Sequence, residues 1–102
     1  MLEKLKLVEE RYMEMEARAA QPDLYADPTA AAKLLKEQRQ LEPVVTAYRA
    51  YMKTEQELPA LLDAARDETD EEMKQFCQDE YAAGKKRLAE LEQELKILLL
   101  PR

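Results

Sequence analysis

Apolar residues return along this chain at alternating steps of three and four, the spacing that gathers side chains onto one stripe of an α-helix. The clearest run is Leu34, Gln38, Leu41, Val45, Tyr48 and Met52, apolar except for Gln38. It predicts a long central helix. Upstream, Leu5, Val8, Tyr12, Met15 and Ala19 form a stripe on a helix from about Leu2 to Ala20, and Leu7 and Met13 are expected to widen its apolar face. Downstream, Cys77, Tyr81, Gly84, Leu88, Leu91, Leu95 and Leu98 form a third stripe on a helix that starts near Asp70 and stops at Pro101. Met73 and Phe76 are expected to broaden that face near its start.

The breaks between stripes have their own chemistry. Gln21 precedes Pro22 and is pushed out of helical geometry, which ends the first helix. The loop from Pro22 to Ala26 is expected to turn back and seat Leu24 and Tyr25 against the end of the bundle. Asp27-Pro28 is a helix start, because the carboxylate accepts from free backbone N–H groups and proline at the first helical position loses a donor that had no partner. The second helix then runs to about Arg66. Pro43 inside it cannot donate to the carbonyl of Arg39, so a kink is expected there, and Pro59 puts continuity in further question. Asp67-Glu68-Thr69-Asp70 is the second turn, where Thr69 with Glu72 has the form of a capping box. Gly84 falls on the third stripe, where a missing side chain admits a close neighbour. The architecture predicted is all-α: one domain over residues 1–102, an elongated antiparallel three-helix bundle with coiled-coil-like packing and long second and third helices. An ending as apolar as Leu98-Leu99-Leu100-Pro101-Arg102 wants a surface to pack against, so the chain is expected to be the N-terminal fragment of a longer one.

Composition agrees with helices, since 37% of 102 residues are charged and only one is glycine. The longest apolar run, Ile97 to Leu100, is four residues long, far short of the roughly 20 needed to span a bilayer. The formal charge of −6 is concentrated. Asp67, Glu68, Asp70, Glu71, Glu72, Asp79 and Glu80 face only Lys74 between positions 67 and 80, either as helix-start chemistry or as an electronegative docking face for a basic partner. That sign repels phosphate, so strong nucleic-acid binding by this chain alone is not expected. Cys77 is the sole cysteine and has no internal partner for a disulfide, which fits a cytoplasmic setting.

Candidate chemistry is sparse. The chain has no His, Ser, Asn or Trp, which excludes nucleophile–histidine hydrolases, and one glycine cannot build a phosphate-cradling loop. The carboxylate pairs Glu9 with Glu16 and Asp79 with Glu80 read as solvated charges on helix surfaces. Cys77 sits on a core stripe among acidic neighbours, a setting that blunts a thiol nucleophile. Tyr48 and Tyr81 also lie on stripes, and with Tyr51 read as packing residues instead of a base-stacking platform. Lys85-Lys86-Arg87 is the one basic cluster and reads as a solvated back face. No catalytic, cofactor-binding or metal-ligating residue is assigned, and no enzyme activity, cofactor or small-molecule substrate is expected.

Read as a whole, the chain resembles the N-terminal domain of bacterial type 1 peptide chain release factors. The resemblance rests on Leu5 through Tyr12, Asp27-Pro28, the block Leu41-Glu42-Pro43-Val44-Val45-Thr46-Ala47-Tyr48-Arg49-Ala50-Tyr51, and the ending Leu91 through Pro101. It implies a helical module of a cytoplasmic factor that directs translation termination at UAA and UAG and triggers hydrolysis of peptidyl-tRNA. The family's codon-reading tripeptide and Gly-Gly-Gln loop belong to later domains, so none of its functional residues falls here. The resemblance also implies that this module faces the stalk base and GTPase-associated region of the ribosome, with the recycling GTPase as a further partner. Pro59 departs from the family pattern. The alternative from another class is a stand-alone structural coiled coil that acts through homo-oligomerisation.

Overall fold

A computed structural model describes residues 1–101 and holds three α-helices with a short 3-10 helix between the first two, and no strand among the described residues. Helix α1 spans Leu2–Ala19, the 3-10 helix Pro22–Ala26, α2 Pro28–Asp67 and α3 Glu71–Leu98. The all-α class and the three long elements are those the spacing predicts. The helical assignment of α2 runs through both Pro43 and Pro59. Both rings sit at exposed positions, as do Arg39 and Glu55, whose carbonyls lose a donor; solvent access there lowers the cost of the missing bonds. The chain divides into two compact units, Met1–Thr46 and the part from Ala47 onward.

In the first unit, Leu5 and Met15 are fully buried, and Val8, Tyr12 and Ala19 are half-buried, so the predicted stripe of α1 is the buried one. Leu7 and Met13 do not widen it. Both are exposed, because 100° per residue puts them roughly 110–130° around the helix from the stripe's centre, beyond the reach of the core. The short connection folds α2 back along α1, and Arg11 of α1 meets Glu37 of α2 at 3.5 Å. At the turn, Arg18 donates to Gln21 Oε1 at 2.7 Å and to Asp23 Oδ1 at 2.9 Å. Leu24 is buried as expected. Tyr25 is half exposed, yet its hydroxyl donates to the Ala19 carbonyl at 2.7 Å and so ties the 3-10 helix to the end of α1. Asp27 starts α2 as predicted, accepting from the Ala30 N–H at 3.1 Å.

In the second unit, Ala47, Tyr48, Tyr51 and Ala65 of α2 and Leu91 and Leu95 of α3 are buried. The pairing is antiparallel. Gly84 lies against Leu58 and Leu61, whereas Glu92, eight residues further along α3, is close enough to act on Tyr51, seven residues back from Leu58. A Cβ at Gly84 would stand 2.8 Å from Leu58 Cδ2, closer than carbon atoms pack, so the glycine makes room for the end of the Leu58 side chain. Met73 and Phe76 do not widen the buried face, being 50% and 58% exposed. The register that sets Gly84 against Leu58 and Leu61 leaves the first turns of α3 opposite the turn itself, since α2 ends at Asp67. No polar or charged residue is buried among those described, so the core is wholly apolar.

Candidate functional site

The acidic turn between α2 and α3 is first of all a helix start. Asp70 takes extended backbone angles and its Oδ2 accepts from the Met73 N–H at 3.0 Å, while its own N–H donates to Glu68 Oε1 at 3.0 Å. Thr69 is therefore not the cap and the Thr69–Glu72 box does not form. Because α3 begins at Glu71, the cap falls on Asp70, whose full negative charge also suits the positive end of the helix, and Glu68 does from upstream what Glu72 was expected to do. Glu71 and Glu72 occupy the first turn. Among the described residues no ion pair reaches any carboxylate from Asp67 to Glu80. This stretch of surface keeps its negative charge uncompensated.

The candidates for chemistry are scattered. Glu9 and Glu16 lie about two helical turns apart, roughly 10 Å along the axis, and share no site. Asp79 accepts from Gln75 Nε2 at 2.9 Å and Glu80 stands exposed beside it. No group of three or more His, Cys, Asp or Glu among the described residues is placed to hold a metal ion. Cys77 is a free thiol, half-buried on its stripe. The basic cluster is partly engaged: Lys85 Nζ lies 5.6 Å from the centroid of the Tyr81 ring and Arg87 lies 3.9 Å from Glu90.

Two groups are electrostatically displaced. The Asp23 carboxyl is held below the usual carboxylate range, chiefly by its hydrogen bond from Arg18. The Tyr51 phenol is pushed up, first by burial, then by the nearby Glu55 carboxylate, and last by Glu92. Tyr51 lies off the four-three stripe, and the spacing alone did not mark it as buried.

The family model for the PCRF domain matches residues 8–102. This chain belongs to the PCRF-domain family. The family's curated members that resemble it include Peptide chain release factor 1 of Alkaliphilus oremlandii, 41% identical over 103 residues, and that of Clostridium novyi, 37% identical over 102. Peptide chain release factor 1 of Clostridioides difficile is 34% identical over 102 residues. Each alignment takes in 100% of this chain and 29% of the relative, so the chain spans under a third of the length of these curated relatives. It matches their N-terminal domain. No solved structure matches it. The block from Leu41 to Tyr51, which carries the resemblance, supplies Val44, Val45, Ala47, Tyr48 and Tyr51 to the buried face of α2. No helix among the described residues is long and apolar enough to cross a membrane.

Proposed function

We propose that this chain is the non-catalytic N-terminal helical domain of a cytoplasmic type 1 release factor, which directs translation termination at UAA and UAG. The observation that carries the reading is the match of the whole chain to the N-terminal domain of relatives named Peptide chain release factor 1. The residue inventory supports the non-catalytic role: with Gly84 as its only glycine, the chain cannot contain a Gly-Gly-Gln loop. The work of the domain is then to bind and position. Its partners in this reading are the stalk base and GTPase-associated region of the ribosome and the recycling GTPase.

The test is a hybrid in which this chain replaces the N-terminal domain of the Clostridium novyi factor. The hybrid is expected to release peptide from ribosomes halted at UAA or UAG and not at UGA, while the chain alone releases none. A hybrid that folds but has lost ribosome binding, with the chain alone forming a tight dimer by light scattering, would replace this reading with the homo-oligomeric coiled coil.

A further inference from the structure

Phe76 is the most exposed large apolar residue near the start of α3, at 58%, and its surroundings are unusual for an exposed aromatic. On a helix the surface neighbours of a residue are those three and four positions away. For Phe76 these are Glu72, Met73, Asp79 and Glu80: one more exposed apolar side chain and three exposed carboxylates. No cation is paired with any of the three carboxylates among the described residues. The capping bonds explain Glu68 and Asp70 but use neither Phe76 nor the three carboxylates around it. Helix-start chemistry accounts for the charge of the turn and leaves this apolar pair without a role.

We propose that this face of α3 docks an arginine-bearing segment of a basic polypeptide, with Phe76 and Met73 as the apolar anchor and Glu72, Asp79 and Glu80 as the acidic rim. Charge complementarity selects the occupant. Nucleic acids and anionic lipid surfaces present phosphate, which three carboxylates repel. A second copy of this chain is a poor fit, because its one basic cluster is partly engaged by Tyr81 and Glu90 and each copy carries a net charge of −6. Arginine suits the arrangement better than lysine. Its planar guanidinium stacks on an aromatic face while its N–H fork meets a carboxylate with two parallel bonds, and its stem covers apolar surface such as Met73. An aromatic within a polar rim is also the usual composition of an interface centre.

The proposal rests on the reading of the chain as an interaction module, and its test uses a readout separate from peptide release. A fluorescein-labelled peptide of three Arg-Leu-Arg-Arg repeats is titrated with the chain and followed by anisotropy, and the site is mapped by amide chemical shifts. Shifts centred on residues 72–80 are expected, and Phe76→Ala is expected to weaken binding by about tenfold or more with unchanged helicity and melting temperature. Replacing Glu72 and Glu80 by Gln is expected to weaken binding and flatten its salt dependence. Equal affinity for wild type and Phe76→Ala would overturn the proposal, as would equal binding of a peptide with Ser in place of Leu. Stronger binding of polyuridine or phosphatidylglycerol vesicles at the same amides, or a dimer in sedimentation that Phe76→Ala dissolves, would assign the face to another occupant. A hybrid factor that still releases peptide after such a failure would leave the functional reading standing and remove only this docking surface.

Discussion

The two ends of α3 carry similar apolar patterns and meet different fates. Near its C-terminal end Leu91 and Leu95 are only 1% and 0% exposed, whereas near its start Met73 and Phe76 keep half or more of their surface in water. Periodicity fixes the direction in which a side chain points, but burial also requires an element opposite it. Met73 points within roughly 40° of the stripe's centre and is exposed because α2 has ended by that level. Phe76 points roughly 100° away from that centre and is 58% exposed. The same pattern therefore yields core at one end of a helix and surface at the other.

The largest expected effect tests the buried end. Leu95→Ala is expected to destabilise the chain by about 2–5 kcal/mol, read as a lower urea midpoint in circular dichroism, because the cavity forms where nothing can collapse to fill it. A loss below about 1 kcal/mol would mean that this end is loosely packed. Between the two ends lies the close approach at Gly84. Gly84→Leu is expected to cost about 1–3 kcal/mol through overpacking against Leu58 and Leu61. Gly84→Ala is expected to be near neutral, since about 1 kcal/mol of helix propensity offsets a contact that the flexible end of Leu58 can yield.

At the exposed end the cap is the stabilising element. Asp70→Ala is expected to cost about 1 kcal/mol, and Thr69→Ala less than half as much, which separates the observed cap from the one the spacing suggested. Tyr51 offers a smaller, pH-dependent effect. Its phenol holds its proton more firmly in the folded chain than at the ordinary value of 10.0, so its contribution is complete below that pH and is lost as the pH rises through the folded-state value. Tyr51→Phe is expected to flatten the alkaline fall of the thermal midpoint; an identical fall in both proteins would show that other groups cause it. The smallest effect closes the comparison. Phe76→Ala is expected to change stability by no more than about 0.5 kcal/mol, the figure for a surface site, and a much larger loss would place Phe76 in the core after all.

How much was legible beforehand differs by residue. The stripes of α1 and α3 could be read from spacing, as could Asp27-Pro28 as the start of α2 and the close approach at Gly84. Tyr51 reads as a packing residue and is buried, but not through the stripe: the middle of α2 buries Val44, Ala47 and Tyr51 beside the stripe residues Val45 and Tyr48, a width that one series of threes and fours does not describe. Leu7, Met13, Met73 and Phe76, expected to widen the apolar faces beside the stripes, stand in water. For the candidate surface, the negative charge was plain in the composition. The exposed aromatic within it follows from an angle roughly 100° off the stripe, which the sequence also holds but which the expectation of a wider apolar face passed over.

By itself the sequence determined the helices, their breaks and the absence of the usual catalytic residues, since these follow from side-chain spacing, proline geometry and inventory, all local properties. Only the tertiary structure decided which stripe residues are core, that Leu58 and Leu61 are what Gly84 meets, and that Met73 at the start of α3 is left in water. Those depend on register and on where a neighbouring helix stops, which no local pattern encodes.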